Sequence, residues 1–402
     1  MPVSGSTVAA PGWRALPGTV WVLVLARAVN RLGAFTLPFL AVILVQDFGA
    51  SVSRCGYLLA GFGLATIPSR LFGGRLADRI GGRATILVGL VGTAAAQLGL
   101  AGSRTLGQAA VAVVVLGLAF EVYEPPSQSI IADVTPAGQR PMAYGLLAAA
   151  MAAAGMAAGL LAALLAGVGL RWLFVADAAT CLVCAGVVAV LLPRTSRQRG
   201  HDAGVVAAWS DRRLRSMLAV GTVFAVVYLQ ITIALPLTIT ERGHGASLVG
   251  LLLALSATTM VLGQPLLAHP RVRALDDFTA MTLGFTVLGA GLALNGFATT
   301  TPAFVVATVI WSVGDLVLLG RAYTVVAGIA PASARGRYLA AYGTSWGIAG
   351  IAAPLLGTQL LAHAGVRLTW ALVALLCLAL AAAQPTLRTT FREHATDRRA
   401  QP

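Results

Sequence analysis

Apolar residues run along this chain in stretches of membrane-crossing length, broken by short clusters of glycine, proline, serine and arginine. A helix needs ~20 apolar residues to cross the hydrocarbon core of a bilayer. Runs of that size fall near 19–45, 55–74, 84–102, 106–131, 140–168 and 172–192, and a second series near 214–239, 247–267, 278–298, 302–328, 336–362 and 367–384. The pattern predicts an all-α membrane protein with twelve transmembrane helices. Between the two series lies the only long polar linker, 193–213, which carries Arg194, Arg197, Arg199, Arg212 and Arg213. It divides the chain into two six-helix bundles, 19–192 and 214–384, with an N-terminal tail at 1–18 and a C-terminal tail at 385–402. A faint internal repeat supports the division. Asp133, Pro136, Arg140 and Tyr144-Gly145 lie between the fourth and fifth crossings of one half, and Pro331, Arg335, Arg337 and Tyr342-Gly343 between those of the other. An offset near half the chain is what a duplicated bundle leaves.

Composition agrees: hydrophobic residues make up 58% of the 402 and charged ones 10%, against about 45–50% and 25% in soluble domains. The net charge of +14 comes with no lysine at all. These arginines sit in short loops, not on a soluble face, so they set topology, and no nucleic-acid partner is expected. Arg54, Arg104, Arg171, Arg242 and Arg367 fall in loops on one side. The side of the termini gathers Arg14, Arg75, Arg79, Arg83, Arg140, Arg271, Arg335, Arg388 and most of the rest. Basic loops stay in the cytoplasm, so both termini are expected there, in a multi-pass protein of the cell membrane (inner or plasma). The first residues lack the charged start and cleavage site of a signal peptide, so the first apolar run is expected to stay as a helix.

Catalytic chemistry is not indicated. Cys181 and Cys184 have the spacing of a redox or zinc pair but lie in an apolar run with no histidine nearby, which makes them packing residues. The five histidines are scattered. No metal or cofactor site is expected, no phosphate-binding loop with its lysine exists, and the protein is not expected to be an enzyme.

The densest polar cluster is Arg75 to Arg83, wedged between the second and third apolar runs, where it marks a short cytoplasmic turn. Gly74, Asp78, Arg79, Gly81 and Arg83 stand at the spacing of the loop signature of the major facilitator superfamily, with Gly82 where that family usually has arginine. On these residues the chain resembles a transporter of that superfamily along essentially its whole length. The first crossing around Asn30 and the fourth around Tyr123-Glu124-Pro125-Pro126 are similar to its twelve-helix drug:proton antiporter branch. The resemblance implies two six-helix halves that rock about a central cavity, and a gating loop in which Asp78 faces a neighbouring helix N-terminus, where the macrodipole favours negative charge. The fifth crossing keeps Gly155 and Gly159 of the antiporter signature without its proline, and Gly350, Pro354 and Gly357 echo it in the eleventh.

Ionisable groups inside a span cost about 2.5–3.5 kcal/mol each on insertion scales and are functional candidates. Arg27 and Arg31 share a face of the first crossing with Asn30, and Glu121, Glu124 and Gln128 share one of the fourth. At ~1.5 Å of rise per residue the two stripes lie level, so they are expected to form a buried charge cluster. Glu121 and Glu124 are the first proton-coupling candidates, and Asp315 of the tenth crossing, which matches Glu121 by the repeat offset, is the next. Arg321 is either a further cavity partner or a side chain reaching for the interface. Asp177 is read as structural, paired with Arg171 or water. Tyr123, Tyr228, Gln230, Trp311, Tyr342 and Trp346 are substrate-lining candidates, since polar and aromatic walls suit an amphipathic or cationic compound.

The expected function is secondary active export of hydrophobic or cationic compounds (multidrug efflux) coupled to protons, by a monomer whose partners are the bilayer, a small-molecule substrate and protons. A symporter or facilitator for a small metabolite remains open on the same fold. So does a lipid-translocating or intramembrane enzymatic protein, because fold does not fix function.

Overall fold

The computed structural model describes residues 16–33, 36–136, 139–193, 211–330 and 335–400. Most of the expected N-terminal tail, and Arg194, Arg197 and Arg199 of the linker, lie outside them. Among the described residues all regular structure is helical. The first half comprises α1 (Gly18–Leu32), α2 (Thr36–Gln46), α3 (Val52–Ile80), α4 (Gly82–Gly102), α5 (Leu106–Phe120), α6 (Glu124–Val134), α7 (Arg140–Val168) and α8 (Leu170–Leu191). The second comprises α9 (Arg212–Glu241), α10 (Ala246–Leu262), α11 (Gln264–Ala268), α12 (Pro270–Arg273), α13 (Asp277–Asn295), α14 (Thr301–Leu318), α15 (Arg321–Ile329) and α16 (Arg335–Ala400).

Twelve crossings account for these elements once the broken ones are joined. α1 and α2 form the first crossing, interrupted at Gly33. α5 and α6 form the fourth, interrupted over residues 121–123. α14 and α15 form the tenth, jointed at Gly320 with φ of 75°. α16 is two crossings that meet at Gly365, where φ of 73° and ψ of 172° reverse the chain. Positive φ costs an L side chain what it does not cost glycine, so both joints fall on glycine.

Three expected boundaries need correction. The loop from Arg75 to Arg83 is almost wholly helical: α3 runs on to Ile80, and the turn is the single Gly81, at φ of 87°. Arginine, leucine and alanine are good helix formers, so an established helix carries through them and the single Asp78 until Gly81, which takes positive φ at no steric cost. Arg212 and Arg213 belong to the first turn of α9, capped by Asp211. The C-terminal tail from 385 continues α16 through Pro385, held by an Arg388–Asp276 ion pair at 3.1 Å and by Phe391 edge-on to Phe278 at 5.4 Å.

The two halves touch through glycines. A Cβ on Gly159 of α7 would meet the Ala254 backbone of α10 at 2.5 Å, and one on Gly63 of α3 the Gly350 carbonyl of α16 at 2.2 Å. Gly250 against Ala163 and Gly56 against Thr358 repeat the arrangement. Without a hydrophobic drive between helices in lipid, such small-residue contacts supply the packing. All four lie in the part of the bundle away from the termini. Toward the termini Gly74, Gly145, Gly343 and Gly347 of the same helices make no such contact, with nothing within 4 Å of where a side chain would stand. Asp78 and Arg79 are exposed there, and neither makes an ion pair or hydrogen bond among the described residues. In this arrangement the turn does not latch the halves. Arg83 instead donates to the Ala189 carbonyl of α8 within its own half.

Candidate functional site

The break in the fourth crossing follows from Pro125-Pro126. Each proline lacks a donor and its ring clashes with the carbonyl four residues earlier, so the helix opens over residues 121–123 and restarts at Glu124. The loosened segment packs on two glycines: a Cβ on Gly73 of α3 would meet the Val122 backbone at 2.4 Å, and one on Gly89 of α4 would meet Tyr123 at 2.9 Å and Val122 at 3.2 Å. The freed Glu121 N–H donates to Ser69 Oγ at 3.1 Å. Such repair is what lets irregular backbone persist in a membrane.

The break sends the two glutamates to different partners. Glu124 pairs with Arg27 of α1, with both side chains largely buried, and accepts from Gln128 at 2.8 Å. Arg27 also lies over the Tyr123 ring, 5.2 Å from its centroid, a cation–π contact. Tyr123 donates to Asn30 at 3.1 Å, and Asn30 reaches Cys181 Sγ at 3.2 Å. Glu121 turns to Arg70 of α3 at 3.3 Å. These groups surround a cavity of about 260 Å³ inside the N-terminal half.

The expected cluster of Arg27 and Arg31 with both glutamates is therefore only partly formed. Arg31 pairs with neither, and Arg70 takes the second place. Arg70 sits inside the apolar run 55–74, two residues past Pro68, so the rule that flags buried charge applies to it as well. Asp177 also departs from expectation. It is buried and accepts from Gln97 at 2.5 Å, while Arg171 pairs with Asp47 at 3.7 Å. Arg171 emerges beside the end of α2, whereas Asp177 lies two turns deeper on α8.

A second cavity of about 350 Å³ lies between the halves and shares Arg31, Phe120 and Met151 with the first. Its second-half wall presents Tyr228 and Thr232 of α9 with Trp311 and Asp315 of α14. Trp311 Nε1 is buried there without a hydrogen-bond partner. Asp315 has no ion pair or hydrogen bond among the described residues, and the same holds for Arg31. The cavity is thus amphipathic, with one free acid and one free guanidinium set among aromatic and small side chains.

The remaining candidates fall elsewhere. Trp346 stands behind Tyr228, edge-on at 5.5 Å. Tyr342 is buried against Gly221 and Tyr323, and Gln230 donates to the Ala353 carbonyl at 3.0 Å in the seam between α9 and α16. Both are packing residues in this arrangement, because their helix faces turn into the second half rather than toward the first. Arg321 is not a cavity residue: as the first residue of α15 it pairs with Asp277 of α13 at 2.9 Å. Among the described residues no cluster could hold a metal ion.

A polytopic helical membrane protein in two halves, with an amphipathic cavity between them, has the architecture of a membrane transporter. The Major Facilitator Superfamily model matches residues 23–315, and the chain belongs to that family. It is a secondary transporter and not an enzyme. It is similar to the uncharacterized MFS-type transporter YhjO of Bacillus subtilis, with 26% identity over 83% of this chain and 84% of the relative. It is also similar to the multidrug resistance protein MdtH of Aeromonas salmonicida, with 23% identity over 79% and 81%. The fold matches that of the nucleoside transporter NupG, with a TM-score of 0.76, 12% identity and coverage of 92% of this chain and 99% of that one.

Proposed function

We propose that the protein exports amphipathic compounds in exchange for protons, as a monomer in the cell membrane, and that Asp315 carries the exchanged proton. The observation that carries this reading is the isolation of Asp315 in the inter-half cavity. An acid inside a bilayer protein must be neutralised, and among the described residues no cation is paired with this one. A proton and a substrate can therefore take turns at it, and that exclusion is the minimum coupling an antiporter needs. The arginine-paired Glu121 and Glu124 are less free to exchange. Their proposed role is to hold the first and fourth crossings together while the halves rock.

Export is supported by the likeness to MdtH, itself a multidrug resistance protein. With the termini in the cytoplasm, as the distribution of arginines implies, the end of the seam closed by glycine contacts faces outward, which leaves the inner end for an exporter to load. The gating turn at Gly74, Asp78, Arg79, Gly81 and Arg83 then closes against the other half only in the opposite state.

The test is proton-driven uptake of a fluorescent cationic dye into proteoliposomes. Wild-type protein is expected to accumulate dye against its gradient when a pH difference is imposed. Asp315→Asn should lose that accumulation yet retain dye-for-dye exchange, which needs no proton. If Asp315→Asn accumulates dye at the wild-type rate, the reading is wrong.

A further inference from the structure

The central cavity offers a substrate more than an acid. Arg31 is exposed and lines both the inter-half cavity and the smaller cavity of the N-terminal half. It stands one turn beyond Arg27 on α1 and, unlike Arg27, has no ion pair or hydrogen bond among the described residues. An unpaired guanidinium in a membrane span is as costly to keep as an unpaired carboxylate. Two such groups, one from each half, border a single space.

We infer that the cavity selects amphoteric substrates, with Arg31 holding an anionic group and Asp315 a cationic one across an aromatic body. This deepens the export reading above and rests on the inter-half cavity being its substrate site. Tyr228, Phe120 and Trp311 line the same space and supply aromatic surface for the middle. The planar fork of arginine suits a carboxylate, which it can hold by two parallel hydrogen bonds. The two charged groups come from opposite halves, so such a substrate would bridge them. A simple cation would satisfy Asp315 alone and leave Arg31 bare.

Binding to purified protein in nanodiscs tests this without any proton gradient, so its outcome is independent of whether transport is proton-coupled. The probes are a diaminoxanthylium dye with a free carboxylate and the methyl ester of the same dye, which keeps only the cation. Fluorescence anisotropy should show the carboxylate form binding about tenfold tighter, the low end for hydrogen bonds to a charged group. Arg31→Gln should abolish that preference by weakening the carboxylate form, while the cationic ester, relieved of a like charge, binds at least as tightly as to wild type; Arg31→Lys should restore part of the preference. Asp315→Asn should weaken both dyes by a similar factor. Equal binding of the two dyes to wild type overturns the inference, as does no binding of either. So does an Arg31→Gln protein that loses the ester as strongly as the carboxylate form.

Discussion

In the N-terminal half the acids buried in the membrane have partners: Glu124 has Arg27, Glu121 has Arg70, and Asp177 has Gln97. In the C-terminal half Asp315 occupies the position that matches Glu121 and has no partner among the described residues. The offset from Glu121 to Asp315 is 315 − 121, or 194, and it carries Arg70 to Gln264. Gln264 bonds back to the Met260 carbonyl of its own helical stretch at 3.3 Å. The two halves thus share a scaffold, and at the matched acid the difference is Gln264 in place of an arginine. A paired acid is fixed in its charge and serves shape, whereas an unpaired one stays available to a proton or a ligand.

The sharpest way to break that contrast is to give Asp315 the partner that Glu121 has. Gln264→Arg places a guanidinium beside the joint where Gly263 meets Leu316, next to Asp315 in sequence. A charge-assisted pair is worth about 1.5–3 kcal/mol, enough to hold the carboxylate ionised against exchange. Gradient-driven dye accumulation in proteoliposomes should fall by about tenfold or more, since each ~1.4 kcal/mol is tenfold. Unaltered accumulation would mean that the pairing difference does not divide the labour between the halves.

Breaking the pairs of the first half should cost stability, and unequally. Arg27 and Glu124 are 15% and 20% exposed in their side chains, while Arg70 is 59% exposed. Removing one partner of a buried pair strands the other charge at a cost of about 3–5 kcal/mol, whereas an exposed pair is worth about 0–1 kcal/mol. Glu124→Gln is therefore expected to lower the thermal midpoint by several degrees and Glu121→Gln by little. A thiol-reactive dye can follow unfolding, since Cys55, Cys181, Cys184 and Cys377 are free and buried. Equal losses would show that burial does not set the value of these pairs.

The division of labour was half legible in the sequence. Twelve apolar runs, the basic linker and the Gly74 to Arg83 signature were enough to expect the superfamily and its helical fold, because length and hydropathy alone fix what can cross a bilayer. Glu121, Glu124, Arg27 and Asp315 stood out for the same reason. Their pairing did not. It depends on the kink at Pro125-Pro126, which rotates Glu121 away from Arg31 and toward α3, and a straight-helix projection cannot include that rotation. Arg70 was hidden by its neighbourhood, close in sequence to the loop arginines. Tyr342 and Gln230 carried the right chemistry on the wrong face, and which face meets the other half is decided by contacts such as Gly63 against Gly350.

The smallest expected effect concerns an acid outside the membrane, where pairing acts on stability in a pH-dependent way. Asp211 caps α9, accepting the Arg213 N–H at 2.9 Å, pairs with the Arg213 side chain at 3.2 Å, and takes the Tyr338 hydroxyl at 3.0 Å. Its partial burial works to raise the carboxyl's pKa, but the bonds from Arg213 and Tyr338 outweigh it and hold the group below the usual aspartate range. A lowered folded value means that stability is gained by ionisation. The contribution is complete above the unfolded pKa of ~3.9 and is lost as pH falls through the lower folded value. Asp211→Asn should cost about 1 kcal/mol at neutral pH, typical of a helix cap, and should flatten the fall in thermal midpoint on acidification below about pH 4. Transport of dye should not change, because Asp211 ties α9 to α16 at the rim of one half and borders neither cavity. A transport defect in Asp211→Asn as large as that expected for Asp315→Asn would show that paired acids also take part in the cycle, and the contrast between the halves would then lose its meaning.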